Sequence, residues 1–66
     1  MPYVNIQITR DGVSAAQKAE LIRATTELLM RVLNKDPATT HIVIQEVDTD
    51  NWGVAGQTVT ALRAAQ

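Results

Sequence analysis

The chain has 66 residues, no cysteine, one histidine, and six Lys and Arg against seven Asp and Glu, for a formal net charge of -1. That is room for one small domain over residues 1–66, and it excludes a multi-domain enzyme, a disulfide framework, a thiolate metal site, a cysteine nucleophile and a His-rich metal centre. The scattered charges give no basic face for nucleic acid, no apolar run spans a membrane, and no basic-then-apolar leader opens the chain, so a cytoplasmic globular protein is expected.

Tyr3 to Thr9 alternates, with Val4, Ile6 and Ile8 on one side and Tyr3, Asn5, Gln7 and Thr9 on the other. Period two with β-branched residues predicts a strand, broken by Arg10-Asp11-Gly12. Ser14 followed by Gln17 forms a capping-box pattern, and apolar positions then fall at Leu21, Ile22, Thr25, Leu28, Leu29, Val32 and Leu33. Such intervals of one, three and four predict a helix with a broad apolar stripe, leaving Lys18, Glu20, Arg23, Glu27 and Arg31 on a solvated face. Asn34 suits a left-handed helix end, and Pro37 prevents the helix from resuming.

Thr40 to Val47 predicts a second strand, with Ile42 and Ile44 on one face and Val43 and Val47 on the other. Strand, helix, strand is the order of a βαβ unit with parallel strands. One helix covers one sheet face, so the face bearing Val43 and Val47 awaits a second subunit. Gly53-Val54-Ala55-Gly56 predicts a tight turn or short hairpin, and Thr58 to Leu62 a short terminal strand. A chain this small buries only about 60% of its unfolded surface, so without disulfides or a metal it is expected to be an oligomer. The expected class is α/β (α+β), one βαβ unit with a C-terminal hairpin or short strand.

Ordinary catalytic sets are missing. The single serine sits at the helix cap, Asp48 and Asp50 lack a third ligand, and Gly53 and Gly56 are far from any expected helix, so no phosphate loop forms. Pro2 is the informative residue. Methionine before proline is commonly removed, which exposes a secondary amine. A free α-amino group has a pKa of about 7.7–8.0, and burial among apolar groups lowers it. An amine neutral near pH 7 is a competent general base. The alternative is that proline simply opens an edge strand, where its missing N–H does no harm.

Pro2-Tyr3-Val4-Asn5-Ile6-Gln7-Ile8, Gln17-Lys18 with Leu21-Ile22-Arg23, Ile42-Val43-Ile44-Gln45-Glu46 and Asn51-Trp52-Gly53-Val54-Ala55-Gly56 together resemble the 4-oxalocrotonate tautomerase family. The resemblance covers nearly the whole chain. It implies a homo-oligomer of βαβ subunits, commonly a hexamer built as a trimer of dimers, and a cofactor-free, metal-free isomerase. Its N-terminal proline, here Pro2 without Met1, would move a proton in keto–enol tautomerisation of an enol or unsaturated 2-keto acid. Trp52 matches the family's hairpin aromatic. His41 aligns with an arginine of the second strand. Val13 aligns with the arginine of the first loop, and Arg10 lies near enough to serve in its place.

Pro2 is thus the expected catalytic residue, with Arg10, His41 and Trp52 as expected substrate-binding residues. Imidazole at position 41 would hydrogen-bond a carbonyl or, protonated, attract a carboxylate; otherwise it is a strand-end side chain. Guanidinium at position 10 suits a carboxylate unless it is merely solvated. Loss of the aligned arginines favours a monoacid such as an aryl-enolpyruvate over a dicarboxylate. Two other functions fit the family. One is hydration or dehalogenation of a haloacrylate-like acid, with Glu46 or Asp50 activating water. The other is a non-catalytic subunit assembled with a paralogue.

Overall fold

The computed structural model describes all residues from Met1 to Gln66. Strand β1 (Tyr3–Thr9) leads to helix α1 (Ala15–Leu33), and a 3-10 turn at Pro37–Thr39 delivers the chain to β2 (His41–Val47). A second 3-10 turn, Thr49–Asn51, precedes a minimal hairpin of β3 (Gly53–Val54) and β4 (Gln57–Thr58), and helix α2 (Val59–Ala64) follows.

β1 and β2 are parallel, in register from Tyr3 opposite His41 to Thr9 opposite Val47. Hydrogen bonds continue the ladder at both ends: His41 N–H donates to Pro2 O at 3.0 Å, and Arg10 N–H to Val47 O at 2.9 Å. The long helix starts where its capping box says it should. Ser14 Oγ accepts from Gln17 N–H at 3.1 Å, and Gln17 Oε1 accepts from Ser14 N–H at 2.9 Å. Asn34 ends it at φ 54, with its N–H returned to Met30 O at 3.0 Å. The hairpin loop is Ala55-Gly56, both left-handed at φ 53 and 81, as a two-residue type I′ connection requires.

Thr58 to Leu62 departs from expectation. The β-branched run Thr58-Val59-Thr60 predicts a strand, yet Val59–Ala64 is helical. Thr58 is an N-cap whose hydroxyl accepts from Ala61 N–H at 3.0 Å, and Ala61, Leu62, Arg63 and Ala64 are strong helix formers. Thr60 Oγ1 ties this turn to the preceding segment, donating to Asp50 at 2.5 Å and lying 2.6 Å from Thr49 Oγ1. A helix therefore does follow the hairpin glycines closely, although at six residues it makes no phosphate cradle.

Helix α1 lies over the sheet face carrying Val4, Ile6, Ile8, Ile42 and Ile44, all only half-buried. Its apolar stripe divides: Thr25 and Leu29 are half-covered, whereas Leu21, Leu28, Val32 and Leu33 stay exposed. Lys18 also differs from its expected solvated position, for it reaches Glu46 of β2 in an ion pair. The opposite sheet face is bare and mostly polar. Gln45 Oε1 accepts from Asn5 Nδ2 at 2.9 Å and from Gln7 Nε2 at 3.1 Å, with Val43 exposed beside them. Not one residue is buried in the single subunit. Its extents are 45 × 24 × 15 Å, and its radius of gyration is 15.2 Å. A compact chain of this length would have a radius of about 11 Å. The subunit is a thin plate with no interior of its own.

Candidate active site

Pro2 sits immediately before β1 and is half-buried. Its carbonyl is taken by His41 N–H, which leaves the ring nitrogen at the open end of the ladder. The parallel register brings His41 to this same end, exposed on the face that α1 does not cover. Pro2 and His41 are thus backbone neighbours because two strands begin together.

Arg10 and Trp52 lie at the other end. The seven residues of β1 separate Pro2 from Arg10, eight steps of extended chain or about 26 Å at the rise of a strand. Trp52 follows the second 3-10 turn, beyond the C-terminal end of β2, and is half-buried; its carbonyl accepts from Val59 N–H at 2.8 Å. The four expected residues therefore fall into two candidate half-sites at opposite ends of the sheet, Pro2 with His41 and Arg10 with Trp52, which one subunit does not bring together.

Arg10 is not a free cation. Its Nε donates to Asp48 Oδ1 at 2.7 Å and its Nη2 contacts Glu46 O at 3.5 Å. The carboxylate, through that hydrogen bond and its charge, raises the guanidinium pKa still further. Beside it, Arg63 of α2 holds Asp11 with two bonds, Nη1 to Oδ1 at 2.6 Å and Nη2 to Oδ2 at 3.2 Å. Arg63 first, then the Thr9 hydroxyl, pulls the Asp11 carboxyl down to about 2. Asp48, Asp11 and Arg63 are the residues that sequence reasoning missed at this end. Their partners lie 38 and 52 positions away along the chain, so no local pattern marks them. Glu46 and Asp50 are engaged as well, with Lys18 and Thr60, at the end of the sheet away from Pro2.

Two shallow depressions run along α1, one beside Val13, Gln17, Glu20 and Leu21, the other beside Ala24, Glu27, Leu28 and Arg31. Neither includes any of the four expected site residues.

Residues 2–62 match the family model described as "Tautomerase enzyme". The chain belongs to the tautomerase family. Within it, this tautomerase falls among the 4-oxalocrotonate tautomerases, and it is an enzyme of the isomerase class. It is 57% identical to "Probable tautomerase K2" of Dickeya dadantii over 63 residues, 96% of this chain and 94% of that one. A "2-hydroxymuconate tautomerase" of Pseudomonas putida is 34% identical over 56 residues, covering 85% of this chain and 87% of the other. Among solved structures, a 4-oxalocrotonate tautomerase isozyme from Methylibium petroleiphilum superposes with a TM-score of 0.92 at 31% identity, over 98% of this chain and all of the other. A heterohexamer 4-oxalocrotonate tautomerase from Chloroflexus aurantiacus gives 0.84 at 33% identity, over 96% and 100%. The expected βαβ unit with short C-terminal strands is the fold these tautomerases share. No helix of this one is long and apolar enough to cross a membrane.

Proposed function

We propose that this tautomerase converts the enol form of a 2-keto acid to its keto form without a cofactor, using the amine of Pro2 as the base once Met1 has been removed. The observation that carries the reading is the position of the Pro2 ring nitrogen at the free end of the β1–β2 ladder, beside His41. With Met1 attached that nitrogen is an amide and has no basic lone pair. Released, it is a rigidly held secondary amine.

The neutral amine takes the proton from the enol hydroxyl, the C=O bond forms, and the electron pair of the C=C bond takes a proton at carbon. The protonated proline is the donor in that second step, so the amine is regenerated and the proton count closes. His41 hydrogen-bonds the oxygen that changes from hydroxyl to carbonyl, or the adjacent carboxylate. Arg10 and Trp52 of a neighbouring subunit receive the distal part of the substrate, because within one chain they stand at the wrong end of the sheet. Trp52 supplies an apolar wall that favours the uncharged amine.

This arrangement requires assembly. The uncovered sheet face, the exposed Leu21, Leu28 and Val32 of α1, and the absence of any buried residue support a homo-oligomer, and a hexamer built as a trimer of dimers fits the family. Likeness to the Chloroflexus heterohexamer supports a second reading, assembly with a paralogous chain that completes the site. Since Val13 and His41 stand where the family carries arginines, the substrate is a monoacid such as phenylenolpyruvate in preference to the dicarboxylate 2-hydroxymuconate.

Ketonisation of phenylenolpyruvate by protein whose mass confirms loss of Met1 tests the reading. Replacing Pro2 by Ala leaves a primary amine in a different place, and the rate should drop by about 10²–10⁴-fold, the usual worth of a positioned general base. Undiminished turnover in that variant would sink the prolyl base. Inactive processed protein that gains activity only with a paralogue would select the heteromeric assembly.

A further inference from the structure

The half-site at the C-terminal end of the sheet carries more negative than positive charge. Arg10, Arg63 and Lys18 are the cations there, and each is matched by a carboxylate, Asp48, Asp11 and Glu46; Asp50, engaged only by the Thr60 hydroxyl, adds a fourth. The Arg10 pair is exposed on both sides, and the only other hydrogen bond of the guanidinium is from Nη2 to Glu46 O. Its geometry uses the Nε edge of the guanidinium and leaves Nη1 without a partner. An incoming group at that outer edge meets hydrogen-bond donors whose net charge Asp48 has already cancelled.

We infer that Asp48 is a specificity-determining residue that neutralises Arg10 and so makes the distal half-site select substrates whose far end is uncharged. The inference rests on the proposed tautomerase reading, in which Arg10 of one subunit faces the far end of a substrate held at Pro2 of another. A dicarboxylate would bring its second carboxylate to within reach of Asp48, and like charges at that distance offset what the arginine gains. An aryl or alkyl tail meets no such opposition and packs on Trp52. Asp48, in effect, converts an anion-binding arginine into a neutral polar edge.

Asp48→Asn isolates the charge. Asparagine keeps the oxygen that accepts from Arg10 Nε, so the side chain stays oriented while the negative charge goes. Asp48 caps the Thr49–Asn51 turn without a side-chain hydrogen bond, so no cap is lost. Two readouts are needed. The first is the ratio of kcat/KM for 2-hydroxymuconate to that for phenylenolpyruvate, which should rise about fivefold, the upper range for an exposed ion pair. The rise should appear in KM, and Arg10→Gln in the Asp48→Asn background should abolish it.

The second readout needs no turnover. Trp52 is the only tryptophan, so its fluorescence reports binding of adipate and of 3-phenylpropionate, an unreactive diacid and monoacid. Asp48→Asn should tighten adipate relative to 3-phenylpropionate by a similar factor. An unchanged preference in both readouts, with the wild type active, overturns the role of Asp48 and leaves the tautomerase reading standing. A shifted binding preference in a protein inactive on both enols supports the role of Asp48 and overturns the proposed substrates instead.

Discussion

Arg63 and Asp11 join α2 to the turn that follows β1, and their pairing has a definite pH signature. Asp11 titrates at about 2 in the folded chain against an ordinary 3.8, chiefly because Arg63 hydrogen-bonds its ionised form. A lowered folded pKa means that ionisation favours folding. The contribution is complete above 3.8 and disappears as pH falls towards 2. Replacing Arg63 by Ala should therefore lower the urea midpoint at pH 7, with the difference from wild type narrowing between pH 4 and pH 2. Equal differences at both ends of that range would show that Arg63 acts by some other contact. Beside this pair, Asp48 acts on Arg10 in the same exposed region, so the turn from Arg10 to Val13 is held from two directions by charges that its own sequence does not announce.

Between elements, the contact that most directly seats α1 on the sheet is Lys18 with Glu46. Their side chains are 34% and 16% exposed, far less than the other ion pairs of the chain. Truncating Lys18 to Ala leaves the Glu46 carboxylate facing the helix without a partner, at a cost of about 1–3 kcal/mol. Lys18→Met combined with Glu46→Leu should recover most of that loss, since an apolar pair of similar volume leaves nothing unsatisfied. Chemical unfolding of the two variants checks it; a single variant as stable as wild type would make the pair incidental. The same contrast marks what the sequence could reveal. Ser14 with Gln17, Asn34, and the Ala55-Gly56 loop act over a few residues, and their elements lie where expected. The helical pattern puts Lys18 toward solvent because its partner is 28 positions away. The Thr58 to Leu62 segment misleads for the opposite reason: its local β-branched run favours a strand, while a single hydroxyl cap and the alanines after it favour a helix. Pro2 and His41 were legible as residue types, but their adjacency depends on strand register, and the separation of Arg10 from Pro2 depends on the whole length of the sheet.

At the scale of the molecule, a plate 15 Å thick with no buried residue has little to hold it closed in isolation. Apolar surface on α1 and an uncovered sheet face must be shielded together, so folding and assembly are one equilibrium. Stability should then depend on concentration: diluting the protein a hundredfold should lower Tm by several degrees, because dissociation by mass action favours the unfolded chain. Sedimentation and circular dichroism on the same dilution series check it. A monomeric mass with an invariant Tm would mean that the plate stands alone. On the proposed reading, assembly also joins the two half-sites, so replacing an exposed helix residue such as Leu28 by Lys should reduce turnover along with oligomer mass.

Met1 is 86% exposed, and the sheet ladder ends one residue after it, at the carbonyl of Pro2. Cutting the Met1–Pro2 bond therefore breaks no backbone hydrogen bond of β1 and β2. The β1–β2 ladder is indifferent to the event that would create the proposed amine. On the proposed reading, two preparations of this protein can share one spectrum and one melting curve while only the one lacking Met1 turns over substrate. Quality control by fold would pass both, and with Pro2 as the proposed base a single residue in mass would separate a finished enzyme from a well-folded precursor.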